Sequence, residues 1–97
     1  MSVLVISKRV FPLKNQEKLI PLLQELRKNA KKQQGFLSRR TYSSISNPGE
    51  CIIVSKWTTA EDWNNWAGKK KRKKIQGDID SIIGEKTEYD IYQPETY

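Results

Sequence analysis

The stretch EDWNNWAGKKKRKKIQG, residues 61 to 77, sets Trp63 and Trp66 three apart and just ahead of six consecutive basic residues, Lys69 to Lys74. Two chemistries use such a set. A nucleic-acid strand could stack its bases on the indoles and place its phosphates against the lysines. Alternatively the indoles wall a small-molecule pocket, and the basic run is a solvated surface or a collar that draws in anions. A spacing of three also places both rings on one helix face, where such a pair often plugs a helix against a sheet. The elements around the stretch have to decide.

The 97 residues contain no histidine and a single cysteine, Cys51. The commonest general base near neutral pH, the commonest metal ligand and the usual proximal haem ligand are therefore missing. Cys51, in ECIIVSKW, cannot form an intramolecular disulfide and reads as a small buried strand residue. No Gly-rich phosphate loop or Ser/His/Asp set can be assembled. A chain that is 36% hydrophobic and 30% charged, with net charge +7, reads as one soluble domain over residues 1–97. Its basic balance favours acidic partners or ligands. VLVI is too short for a signal-peptide core and is followed by Lys8 and Arg9. No segment approaches the roughly 18 apolar residues of a membrane span. A reducing, cytoplasmic setting is expected.

Val3 to Val10 predicts a strand, apolar at both parities in VLVIS and therefore covered on both faces. Asn15 to Lys32 predicts a helix capped by Asn15, with Leu19, Leu22, Leu23, Leu26 and Ala30 as its buried stripe and Pro21 inside it. Phe36 to Ile45 and Cys51 to Trp57 predict a hairpin around the turn SNPG. Thr58 and Thr59 before Glu61 and Asp62 start a second helix, which Gly68 ends; IDSII adds a short helical turn before Gly84. Lys86 to Tyr92 predicts a fourth strand, with Thr87, Tyr89 and Ile91 on one side. The order βαββαβ is the ferredoxin-like arrangement, a four-stranded antiparallel sheet with two helices on one face. Its helix-free face, apolar in Val3–Ile6 and Cys51–Val54, is expected to pair with a second copy of the chain as a homodimer.

Here the sequence resembles the antibiotic biosynthesis monooxygenase family of dimeric α+β barrels. The resemblance rests on the element order, on QQGFLSRRTY with its Gly entering the second strand, and on VSKWTTAEDWNNW. One branch of that family degrades haem, with a Trp ten residues before an iron-binding His and an Asn on the first strand. Trp66 matches the Trp, but Gln76 stands at the His position and Ser7 at the Asn position. Another branch oxygenates phenols and quinols without a cofactor. The resemblance thus implies an oxygenase of a small aromatic substrate, needing no metal, flavin or haem. Its candidates for the reacting centre are Trp66, Ser7 and Asn65. For substrate contact they are Trp63, Tyr42, Arg39 and Gln76, with Asn64 and Arg40 as alternative sources of a hydrogen bond and of charge.

The other class is a binding module: a non-enzymatic small-ligand or haem carrier, or a polyanion binder working through Lys69–Lys74. Lysine runs bind phosphate with little sequence preference. No helix-turn-helix, zinc motif or aromatic strand signature accompanies this one. The pocket wall is the first reading and the basic surface the second.

Overall fold

The computed structural model describes residues 2–12 and 14–96. Its elements are β1 (Val3–Val10), α1 (Gln16–Ala30), β2 (Phe36–Ser43), β3 (Glu50–Trp57), α2 (Ala60–Ala67), α3 (Lys70–Ile83) and β4 (Glu88–Tyr92). The strands form one sheet in the order β2-β3-β1-β4, with every pair antiparallel. This is the ferredoxin-like α+β fold, with β1 at the bounds the sequence predicts.

Two helices were expected, and the described residues form three. The basic run does not lie between helices. It opens α3, because Lys and Arg are good helix formers and the segment carries a regular inward stripe. Arg72, Ile75, Gln76 and Ile79 are its buried residues, spaced at helical intervals. Gly68 closes α2 as expected, and an extended Lys69 (ψ 136°) turns the chain into α3. Thr59 caps α2, its side chain accepting from the Asp62 amide at 3.1 Å. Asn15 precedes α1 without a side-chain cap bond; its backbone is left-handed (φ 64°), a region Asn tolerates. The helix runs through Pro21.

Two strand ends are shorter than expected. β2 stops at Ser43, where the Ser44 hydroxyl accepts from the Asn47 amide at 3.0 Å and turns the chain. β4 starts at Glu88, because the amide and hydroxyl of Thr87 donate to Asp80 Oδ1 (3.3 and 2.9 Å) and leave the ladder.

The pleat sorts the side chains of β1. Val3, Val5, Ser7 and Arg9 are buried beneath the helices, whereas Leu4, Lys8 and Val10 are exposed on the opposite face. Antiparallel register puts Ile6 opposite Val54, Ile52 opposite Tyr42 and Leu4 opposite Tyr92, so the helix-free face has an apolar centre. Lys8 and Glu50 form an ion pair of 2.9 Å on that face. Between sheet and helices lies the core of Val3, Val5, Leu19, Leu26, Trp57, Trp63, Trp66, Ile75 and Ile79. Trp57 is its largest fully buried side chain and meets Phe36 and Trp63 edge-on, at centroid distances of 5.4 and 5.7 Å. No helix among the described residues is long and apolar enough to cross a membrane.

Candidate active site

At one end of that core the packing opens into a cavity. The sheet supplies Ser7 and Arg9 from β1, Arg39 from β2 and Ser55 from β3; α2 and α3 supply Trp63, Trp66, Arg72 and Gln76, and β4 supplies Tyr89. Its inner space is narrow, about 40 Å³, enough for a few water-sized groups. A wider chamber of about 190 Å³ shares Arg9, Arg27, Arg39 and Ile53 with it and adds Phe11, Leu23 and Cys51. The two adjoin through these shared residues, so arginine lines both the narrow inner space and the wider chamber.

The inner end is strongly positive. Arg9 and Arg72 are each 6% exposed. Neither ion pair among the described residues involves an arginine. Burial holds the guanidinium of Arg9 below the usual arginine pKa. Arg39 is lowered as well, first by burial and then by the charges of Arg9 and Arg27. Arg72 is held against two rings, its Cζ 5.1 Å from the Trp63 centroid and 5.0 Å from that of Tyr89, and it donates weakly to Ala67 O at 3.4 Å. A cluster of buried cations without carboxylate partners opposes folding, so its natural complement is an anion.

Neutral polar groups complete the inner end. Burial pushes the Tyr89 phenol above its ordinary pKa, with Arg72 and Arg9 pulling it partly back, so it remains a protonated donor at neutral pH. The nitrogen of the Gln76 amide donates to Asp80 Oδ1 at 2.8 Å and to Thr87 Oγ1 at 2.9 Å. Trp57 Nε1 donates to Ser55 Oγ at 3.1 Å, which fixes the indole edge below the cavity.

The family model of the antibiotic biosynthesis monooxygenases matches residues 1–78. The chain belongs to that family. Its fold is shared by a conserved protein from Methanosarcina mazei (TM-score 0.86, 17% identity, covering 98% of this chain and 94% of that one). A protein from Mycobacterium tuberculosis superposes at TM-score 0.81 with 14% identity over 100% and 98% of the two chains. A mutant of SnoaB, a cofactor-independent oxygenase from Streptomyces nogalater, does so at 0.81 with 7% identity over 99% and 95%. No functionally curated protein matches the chain.

Within this monooxygenase-family fold, five of the seven residues singled out by sequence, Ser7, Arg39, Trp63, Trp66 and Gln76, line the same cavity. Two do not. Tyr42 is 48% exposed and pairs with Ile52 on the helix-free face, because it alternates with the inward Arg39 and Thr41. Asn65 is exposed on α2 and borders an outer groove with Gln33, Asp62 and Lys69. Arg40 pairs with Val54, also on the far face. Cys51, expected to be buried, is half-buried in the chamber wall, where burial raises its pKa. Sequence reading missed Arg9, Arg72, Tyr89 and Asp80. Arg72 carried a signal, since it stands three, four and seven residues before Ile75, Gln76 and Ile79, which is the stripe of an inward helix face. The basic run therefore divides: Arg72 turns inward, and the five lysines are exposed.

Proposed function

We propose that the protein is a cofactor-independent monooxygenase that binds a small planar aromatic substrate as its anion. The observation that carries this reading is the cluster of Arg9, Arg39 and Arg72 inside an aromatic-walled cavity, with no carboxylate among the described residues paired to it. Family membership and the fold shared with a cofactor-independent oxygenase support the reaction class.

The residues' roles follow from their chemistry. The substrate ring occupies the wider chamber beside Phe11, Leu23 and Ile53 with its ionisable oxygen toward the narrow inner end, and the guanidiniums lower the pKa of its phenol or enol, so that it enters as the electron-rich anion. That anion reduces dioxygen by one electron, and the radical and superoxide join as a C–O–O bond. Loss of the carbon-bound proton and cleavage of O–O leave a carbonyl on the substrate and release the second oxygen atom as water. A CH₂ carbon thereby becomes C=O with consumption of one O₂, all electrons coming from the substrate. The protein excludes water, orients the ring and holds the negative charge.

Oxygen-electrode assays across anthrone-like and quinol substrates test this on protein freed of metal, flavin and haem. Oxygen uptake is expected to rise with pH as the substrate ionises, with a midpoint below the free substrate's pKa because the arginines favour the anion. No histidine is present, so no enzymatic step is expected near pH 6.5. Inertness across the panel, or activity only with an added cofactor, contradicts the mechanism; inertness with retained binding makes the protein a ligand carrier. The helix-free sheet face is proposed to pair with a second copy of the chain.

A further inference from the structure

Cys51 stands directly opposite Arg9 in the pairing of β1 with β3. Opposed residues of an antiparallel pair share a face, with Cβ atoms about 5 Å apart. Both line the wider chamber of about 190 Å³, together with Arg27, Arg39 and Thr41. No carboxylate among the described residues lines it. Arg9 is 6% exposed and forms no ion pair among the described residues. The chamber therefore sets a thiol beside a buried cation that lacks a counter-ion.

The half-buried Cys51 is the single cysteine of the chain, so an oxidised form has no partner within it. A small disulfide from outside supplies one. The Cys51 thiolate attacks one sulfur, and the new S–S bond forms as the old one breaks. The second thiol leaves as a thiolate and takes up the proton that Cys51 gave up. This exchange needs neither histidine nor metal, and excess thiol reverses it. Burial raises the Cys51 pKa, with Arg9 and Arg39 pulling it partly back, so the thiol stays mostly protonated at neutral pH. Toward an uncharged disulfide it is slow. A disulfide that carries carboxylates is held instead, because a guanidinium takes a carboxylate in two parallel hydrogen bonds.

We propose that Cys51 is a reversible modification site for disulfides of carboxylate-bearing thiols, with Arg9 and Arg39 binding the carboxylate and the attached group closing the chamber. The site goes beyond the oxygenase reading, and only the exclusion of a substrate by the attached group rests on that reading.

Intact-mass spectrometry of the full chain follows adduct formation with two disulfides of similar size, dithiodipropionate, a dianion, and cystamine, a dication. N-acetylcysteinamide serves as the free reference thiol. Relative to the reference, the anionic reagent is expected to react roughly tenfold faster than the cationic one. Arg9→Met and Arg39→Met should each lower that ratio several-fold. Arg40→Met, with the same loss of net charge on the far face, should leave it unchanged. Arg39→Met carries the test if Arg9→Met does not fold by circular dichroism. Cys51→Ser should take up neither reagent. Equal relative rates for the two reagents, no adduct with either, or a ratio unmoved in the folded Arg9 and Arg39 variants overturns the assignment. The adduct is expected to abolish calorimetric binding of 2-naphthol, and a phosphine to restore it. A charge-selective adduct that leaves 2-naphthol binding intact overturns the closing role. A parent that forms the adduct selectively but binds no 2-naphthol counts against the oxygenase reading alone.

Discussion

Arg9→Met is expected to make the protein more stable and its ligand site nearly useless. The guanidinium is 6% exposed, unpaired by any carboxylate among the described residues, and leaves its Nε without a partner there. Burial disfavours its charge, so in the free protein it works against folding. Methionine fills much of the same volume without charge. A gain of about 1–2 kcal/mol is expected, which for a domain of this size raises the melting temperature by roughly 4–8 °C per kcal/mol. Affinity for an aromatic anion should fall roughly 100-fold, the loss of charge-assisted hydrogen bonds to the bound oxygen. Arg40→Met, on the far face of the same sheet, should change the affinity little. Thermal melts and titration calorimetry on the two variants check both signs. A destabilised Arg9→Met protein that binds as well as the parent would mark Arg9 as structural.

The second large effect concerns assembly. Ile6 and Val54 pair at the centre of the helix-free face. Around them Leu4, Tyr42 and Tyr92 are 38%, 48% and 51% exposed. An apolar sheet face of this kind is covered most simply by its own copy across a two-fold axis, where one patch meets itself. Val54→Glu would place an unpaired carboxylate on each side of that contact, at a cost of several kcal/mol per charge. Sedimentation at micromolar concentration is expected to give twice the chain mass for the parent and the chain mass for the variant. A monomeric parent, or a dimeric Val54→Glu protein with native circular dichroism, would contradict the arrangement. The cavity opens on the other side of the sheet, so the variant tests the interface without entering the site.

Much of the fold was legible because it depends on local patterns. The apolar run of β1, the leucine stripe of α1 and the turn SNPG each specify their element within a few residues. The site was legible only in part, for reasons particular to each residue. Ser7 and Arg9 share parity with Val3 and Val5, which places them indoors. The two adjacent cations, Lys8 facing solvent and Arg9 facing the core, look alike in composition, which hides that parity. Arg72 was concealed by composition, since five lysines around it suggested solvent while its helical spacing suggested the core. The inward parity of β2 depends on an irregularity between Phe36 and Ser38, and no sequence signal settles whether Arg39 or Tyr42 then faces the helices. Asp80 was not readable at all. Its role depends on Thr87, seven residues on, which the left-handed Gly84 (φ 90°) brings back against α3.

The central claim is that the cavity holds its substrate as an anion, and the most direct measurement is the number of protons released on binding. Calorimetric titration in two buffers of different ionisation enthalpy, at a pH about two units below the pKa of a phenolic ligand, counts them. Arginine does not give up a proton in this range, and burial keeps Tyr89 and Cys51 protonated. The ligand is then the source. Release of about one proton per ligand bound is the predicted result. Binding with no proton release would mean that the neutral phenol is the bound form, and the account of the arginine cluster would be contradicted.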